Sequence, residues 1–284
     1  MKIAVTTASG NLGASVIKRL KQEIGAEQVI GIARTPGRAE PLDVEIRKGD
    51  YNNKQELKAA LNGVETVLLV SGMELPDKRI QQHRNVIEAA KANGVRKIVY
   101  TSIYGPETGN AFSPVVASNR QTEEDIKQSG LQWTIGRNGI YIEPDLEYIE
   151  HYIREGGIIN CAAEGKCGYT SRAELACAYY HLLCNDELNG AIYNLFGDAV
   201  NQQQLADAIN KAFQLNLFYK SISVDEYVKE RKAALGDFLG TVIGGIYEGI
   251  RTGDFDGISD YQKVTRRNHK TLDEMIQAYI KQSH

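Results

Sequence analysis

The sequence predicts an α/β protein: a doubly wound parallel sheet with a smaller C-terminal α/β region attached. Three observations carry that expectation. Apolar runs of strand length alternate with helical stripes through the first half of the 284 residues. The runs are almost continuously apolar, as strands covered by helices on both faces must be. A glycine-bearing turn joins the first run directly to the first stripe.

The elements follow in order. Lys2 to Thr6 reads as a short buried strand, and Leu12 to Ile24 puts Leu12, Val16, Ile17, Leu20 and Ile24 on one helix face. Gln28 to Ala33 and Val44 to Gly49 read as the second and third strands. Asn53 caps a helix, with Glu56 placed for a reciprocal capping box and Leu57, Ala60 and Leu61 inward. Glu65 to Val70 is the fourth strand, and Lys78 to Asn93 a helix with Ile80, Val86, Ile87 and Ala90 inward. Lys97 to Thr101 is the fifth strand, Glu123 to Ser129 lies on a helix, and Gln132 to Gly136 is the sixth strand. Right-handed crossovers set the helices on both faces of such a sheet. Ligands then sit beyond the carboxyl ends of the strands, so the residues just after each strand are the candidates.

The second half has shorter elements. Helices are expected over Leu146 to Arg154, Ser171 to Leu183 (with a Ser171/Glu174 capping box), Asn201 to Phe213, Ser223 to Leu235 and Thr271 to Lys281. The strand Ala191 to Phe196 returns to the main sheet. Residues 1–138 with a returning segment 168–197 therefore read as the nucleotide-binding domain of Rossmann type. Residues 139–167 and 198–284 read as a smaller substrate-binding region. Phe238 to Ile250 is too short to span a membrane, and its Gly240 and Gly244 suit a tight turn or a close helix contact.

Composition narrows the function classes. A net charge of −3 gives no general nucleic-acid footprint. No cationic leader precedes the strand-like residues at Ile3, and a cytoplasmic protein is expected. Cys161, Cys167, Cys177 and Cys184 have neither zinc spacing nor a histidine pair, so they read as reduced thiols and no metal site is expected.

The turn after the first strand is Thr6-Thr7-Ala8-Ser9-Gly10-Asn11-Leu12-Gly13. Backbone N–H groups and the dipole at a helix start favour a pyrophosphate there. Thr7, Ser9, Gly10, Asn11, Leu12 and Gly13 are the candidate cradle, with Gly10 admitting the phosphate and Gly13 packing helix on strand. Thr7 is the departure: the short-chain dehydrogenase pattern TGATGxLG has glycine there. A β-branched residue tolerates positive φ poorly, so either the turn takes negative φ or the grip is looser.

The second strand ends Ile32-Ala33-Arg34-Thr35. An NAD-binding domain places an acid there for the ribose hydroxyls; Arg34 instead suits the 2′-phosphate of NADP(H), with Arg38 and Lys48 adding charge. Asp50 and Tyr51 would flank the adenine, and Ser71 and Gly72 the nicotinamide ribose.

With these motifs in order, the chain resembles the NmrA-like, atypical short-chain dehydrogenase/reductase family, nearest its bacterial NADPH-dependent quinone oxidoreductases. The matching stretches include Thr6 to Gly13, Ile32-Ala33-Arg34, Gly49-Asp50-Tyr51, Gln82 to Ile87, Tyr100-Thr101-Ser102, Arg137 to Tyr141 and Thr170 to Glu174. The resemblance implies that Thr101 and Ser102 join Ser71 along the nicotinamide half, and that Asn138, Gly139 and Tyr141 face the cleft between the two parts. Relatives follow that last motif with Glu-Asn, whereas here Glu143 precedes Pro144. Leu235 to Arg267 resembles the family least.

Carbonyl-reducing members use a Tyr-x-x-x-Lys pair for proton transfer. Tyr100 is followed at that spacing by Tyr104, and Tyr104 by Thr108. The resemblance also places Asn119 in the substrate cleft, where relatives carry Lys or His, and the adjacent Arg120 cannot shuttle protons. No catalytic residue is assigned, and a nucleotide-sugar epimerase is disfavoured. A quinone-like small-molecule acceptor can take hydride directly and protons from water, so NAD(P)H-dependent quinone reduction is compatible. A non-catalytic NADP(H)-binding redox sensor of NmrA type is the alternative, and a protein-interaction module the third class. Tyr141, Tyr148, Tyr152 and Tyr169 gather around the expected cleft. His83 reads as a packing or helix-surface residue, Lys229 to Lys232 as a solvated helix face, and Arg266-Arg267 as needing no partner.

Overall fold

A computed structural model of the chain describes residues 2–283. The main layer is built from β1 (Ile3–Val5), α1 (Asn11–Ile24), β2 (Val29–Ala33), β3 (Glu45–Lys48), α2 (Lys54–Ala60), β4 (Thr66–Val70), α3 (Pro76–Ala92), β5 (Lys97–Ile103), α4 (Ser113–Lys127) and β6 (Gln132–Asn138). There follow β7 (Ile140–Tyr141), α5 (Glu143–Glu147), α6 (Ile149–Glu155), β8 (Gly157–Asn160), β9 (Lys166–Thr170), α7 (Arg172–Cys184) and β10 (Ile192–Leu195). The C-terminal part adds β11 (Ala199–Asn201), α8 (Gln202–Phe213), β12 (Phe218–Ser221), α9 (Val224–Leu235), α10 (Asp237–Thr252), α11 (Tyr261–Thr265) and α12 (Leu272–Ser283).

The seven-stranded sheet runs β10-β6-β5-β4-β1-β2-β3, and every neighbouring pair is parallel. β1 lies between β2 and β4, in register at Val5↔Gly31 and Val5↔Leu68. The strand order therefore reverses at β1, which opens a crevice at its carboxyl end. β10 joins the sheet beside β6, as the returning strand required. Two small sheets, β11-β9-β7 and β12-β8, lie beyond it.

Side-chain period explains the layers. The stripe of α1 buries Val16, Ile17 and Leu20 completely with α7 residues Leu175, Tyr179 and Leu182. Burying each such aliphatic side chain contributes roughly 1.5–3 kcal/mol. The opposite face is covered by Leu57, Val86, Ala90 and Ile126 of α2, α3 and α4. A third cluster, under the C-terminal helices, joins Leu146, Tyr152, Tyr169, Leu205 and Ile250. No helix among the described residues is long and apolar enough to cross a membrane.

Several sequence expectations need correction. The helix expected from Glu123 begins at Ser113, so Val115 to Gln121 lie inside it. Asn110 Oδ1 takes the N–H groups of Phe112 and Ser113, and Pro114 suits the first turn. Leu146 to Arg154 is two helices meeting at Tyr148. Ile80 is only half-buried. Asn53 does cap α2, but Glu56 bonds Asp50 N–H and Lys48 instead of closing the box. Ser171 caps α7 while Glu174 turns to Arg267; Asn201 and Gln204 form the reciprocal box. The Gly240/Gly244 pair is a close helix contact. A Cβ at Gly240 would stand 2.4 Å from Lys232 N, and one at Gly244 2.5 Å from Val228 Cγ2.

Candidate active site

β1 ends at Val5, and the chain turns through Thr6 to Gly10 into α1. Thr7 carries φ of 51°. A left-handed conformation costs a non-glycine residue about 1–2 kcal/mol, so the turn keeps the shape a glycine would give. Of the two alternatives left open for this turn, the negative φ is not the one taken. Thr6 N–H bonds Leu68 O at 3.1 Å, Ala8 N–H bonds Ile32 O at 2.9 Å, and Gly10 N–H bonds Thr7 O at 2.8 Å. These tie the turn to both neighbouring strands. A Cβ at Gly13 would lie 2.5 Å from Thr7 O, which explains the glycine. No side chain caps α1, so its first N–H groups are left for an anion.

A cleft of about 370 Å³ joins Thr7, Ser9 and Gly10 to Arg34, Arg38, Asp50 and Gly72. Asn11 and Leu12 open α1 beside it. Arg34 and Arg38 are exposed, and neither guanidinium bonds another described residue. Lys48, expected to add charge, is paired with Glu56 at 2.8 Å. Asp50 Oδ1 accepts from Asn52 N–H at 2.8 Å, which fixes the chain after β3. Tyr51 lines the cleft but is only 8% exposed, and its single hydroxyl proton is shared between Thr6 Oγ1 and Val70 O. Its ring thus belongs mainly to the core. Backbone amides, a Cβ-free approach and two unpaired cations together fit a pyrophosphate and a 2′-phosphate.

The strip beyond β4 and β5 is a hydrogen-bonded network. Ser71 N–H donates to Thr101 Oγ1 at 2.8 Å, and Ser71 Oγ–H to Asn119 Oδ1 at 3.1 Å. Tyr100 donates to the same Asn119 oxygen at 2.6 Å, and Asn119 Nδ2 donates to Val115 O at 2.8 Å. Asn119 is therefore held at both ends of its amide and does not line the cavity described below, contrary to its expected place in the substrate cleft. Burial pushes the Tyr100 hydroxyl well above its ordinary range. His83 is a buried brace: Gly72 N–H donates to Nε2 at 3.0 Å, and Nδ1 meets Thr122 Oγ1 at 2.9 Å. Burial, then the Arg79 charge, lowers its pKa to about 3, so the imidazole stays neutral. Ser102 is buried and donates to Glu123 at 2.6 Å.

A second, larger cavity of about 810 Å³ begins at Ile103, Gly139 and Tyr141, where β5 and β6 end. Gly139 admits no side chain, since a Cβ would stand 2.5 Å from Phe196 Cβ. Asn138 is buried behind it, donating to Tyr141 Oη at 2.9 Å and accepting from Tyr179 at 2.6 Å; it positions Tyr141 and does not itself line the cavity. Burial raises the Tyr141 pKa to about 12. The walls are aromatic: Tyr148 and Tyr152 from α5–α6, with Tyr227 and Tyr247 from α9 and α10. Tyr169 packs in the core below them.

Two charged residues were misread in the sequence. Arg231, expected on a solvated face, lies 5.4 Å from the Tyr227 ring centroid and donates to Tyr148 Oη at 3.2 Å. Arg267, expected to need no partner, bonds Glu174 through both terminal nitrogens. Sequence reading also passed over Asp145, Tyr227 and Tyr247. A tyrosine on the inward stripe of α9 or α10 was the available signal.

The chain is similar to known NAD(P)H-binding proteins. The family model described as NAD(P)H-binding matches residues 7–182. Quinone oxidoreductase 2 of Escherichia coli K12 is 34% identical over 282 residues, covering 96% of this chain and 97% of the relative. An NmrA-like family domain-containing oxidoreductase of Aspergillus flavus is 30% identical over 80% of this chain and 76% of its own length. The crystal structure of Citrobacter sp. triphenylmethane reductase complexed with NADP(H) superposes with a TM-score of 0.89 at 29% identity, covering 98% of this chain and 100% of that one. The cradle at α1, the matching family model and two oxidoreductases aligned along most of the chain make this protein a member of the NAD(P)H-binding, NmrA-like family and an NAD(P)H-dependent oxidoreductase.

Proposed function

We propose that the protein uses NADPH to reduce a quinone-like acceptor by direct hydride transfer, without a Tyr-Lys pair. The observation that carries this reading is the aromatic cavity starting at Ile103, Gly139 and Tyr141, the strand ends toward which a nicotinamide would point. Flat rings stack between aromatic walls, and apolar walls exclude water. Bound NADPH supplies the hydride. The amides of α1 hold its pyrophosphate, Arg34 and Arg38 its 2′-phosphate, and Asp50 flanks the adenine. Ser71 and Thr101 fix the strip beneath the nicotinamide. Tyr141 and Tyr148 orient the acceptor, which is the main service a direct transfer asks of a protein. Tyr100 stays protonated and bonded to Asn119, which supports a reaction that does not use it as a base. Residues 1–138 and 168–197 form the cofactor module on this reading, and 139–167 with 198–284 the acceptor module. Four unpaired thiols suit a cytoplasmic setting.

Titration with NADPH and NADH, followed by fluorescence, tests the cofactor half. Arg34→Ala weakens NADPH binding on the order of 10- to 100-fold and leaves NADH unchanged, because a charge-assisted hydrogen bond is lost. Equal loss for both would remove the 2′-phosphate assignment. NADPH oxidation by a series of simple quinones tests the other half. Binding without oxidation would put the sensor reading in its place.

A further inference from the structure

The acceptor cavity contains a carboxyl that the reaction above leaves idle. Asp145, on α5, is 5% exposed and forms part of the cavity wall. Tyr152 donates to its Oδ1 at 2.6 Å and Tyr247 at 3.4 Å. The titratable groups that face it are neutral ones: Tyr152 from α6, Cys167 and Tyr169 from β9, Tyr227 from α9 and Tyr247 from α10. No lysine, arginine or histidine pairs with it among the described residues. The cation in this cavity, Arg231, is engaged with Tyr148 and Tyr227. Burial raises the Asp145 pKa above the ordinary carboxyl value, and three tyrosine hydroxyls only partly offset it. Tyr152 and Tyr247 both donate to Oδ1, and no cation competes for the carboxyl.

We infer that Asp145 is the proton donor to the acceptor. The inference rests on the reading of this cavity as the acceptor site. Hydride from NADPH brings two electrons and one proton to the quinone, and NADPH is oxidised to NADP⁺. Negative charge gathers on a carbonyl oxygen, which an apolar cavity solvates poorly. The carboxyl O–H bond of Asp145 breaks as the O–H bond of the hydroquinone forms. The carboxylate regains its proton from solvent when the product leaves. A rival role, counter-ion to a cationic substrate, needs an ionised Asp145, and burial without a cation opposes that.

Asp145→Asn keeps the shape and still accepts the tyrosine bonds, but has no acid proton. The test compares two acceptors in the same variant: a simple quinone, which needs hydride and proton, and a cationic triphenylmethane dye, which needs hydride alone. The quinone-to-dye ratio of kcat/KM is expected to fall about 100-fold in the variant, the usual scale of general acid catalysis. Quinone kcat/KM of the wild type falls as pH rises through the Asp145 pKa, and the variant is flat over the same range. Infrared spectra at neutral pH show a protonated-carboxyl band in the wild type that the variant lacks. An unchanged ratio, an unchanged pH profile, the absence of that band, or a loss confined to the dye overturns the proton-donor role. A wild type that reduces neither acceptor overturns the acceptor site itself, and the donor with it. Asp145→Ala separates the donor from the wall: it repeats the fall in ratio if the proton is what matters, and an intact ratio sinks the role.

Discussion

Glu123 and Asp145 are both buried carboxyls, 1% and 5% exposed, yet their surroundings shift their pKa values in opposite directions. Glu123, on α4, meets Arg137 at 2.9 and 2.7 Å, Arg120 at 2.8 Å and Ser102 at 2.6 Å. Burial alone would raise its pKa; the Arg137 hydrogen bonds and the Arg120 charge outweigh that, and the net shift is downward. Asp145 is likewise buried, with tyrosines in place of arginines, and its shift is upward. Partner chemistry, not depth, decides the charge of a buried acid. The contrast matches the two clefts. On the proposed reading, the half that would grip a dinucleotide locks its buried charge in place, and the half that would receive an acceptor holds a carboxyl suited to storing a proton.

The comparison can be broken most forcefully at Glu123. Glu123→Gln strands two arginine contacts and is expected to cost about 3 kcal/mol in urea unfolding, since breaking a buried pair leaves uncompensated charge. Asp145→Asn, which strands no ion, should cost far less at neutral pH. Equal losses would show that burial alone governs both sites. Gly240→Val separates the halves next. Its branched side chain must push α10 off the Lys232 backbone, at roughly 1–3 kcal/mol of overpacking strain. Quinone KM should rise while NADPH affinity holds; a matching loss of NADPH affinity would mean the halves are mechanically coupled.

The pH dependence of stability sharpens the contrast with opposite signs. Glu123, with its pKa depressed, contributes stability that is present above the ordinary carboxyl range and lost as pH falls through its folded pKa. Asp145, with its pKa raised, contributes stability below that range, lost as pH rises through its own folded pKa. The stability difference between Asp145→Asn and wild type should therefore grow in the variant's favour as pH rises from about 4. A flat difference would mean that Asp145 is ionised in the fold. The smallest effect is at the cradle. Thr7→Gly relieves about 1–2 kcal/mol of left-handed strain and adds roughly 0.4–1 kcal/mol of unfolded-chain freedom, so the melting temperature should rise slightly. A drop would show that the threonine side chain contributes contacts of its own.

Local patterns were legible in the sequence, and long-range pairings were not. The strands, the α1 stripe and the Thr7 to Gly13 turn depend on neighbours a few residues apart, and their chemistry is visible in one line of text. Arg34 was legible because a strand end with no acid is a local fact. The aromatic cavity joins Asp145 to Tyr247, 102 residues away, the latter on a helix in the segment least like the family. Glu174 and Arg267 meet across 93 residues, which no periodicity announces. Asn119 and Asn138 were placed in the cleft by resemblance, but their partners Tyr100 and Tyr179 turn both amides inward. The start of α4 was hidden because the polar run Ser118 to Gln121 dilutes its stripe, although Ser118 and Asn119 are buried against neighbouring helices and strands.

Direct hydride transfer between the two clefts is best tested by single-turnover oxidation of NADPH carrying deuterium at the transferred position of C4, with a simple quinone as acceptor. A several-fold slowing relative to unlabelled NADPH is the expected result. Oxidation that proceeds at the same rate with either cofactor, or bound NADPH that no quinone oxidises, would contradict it.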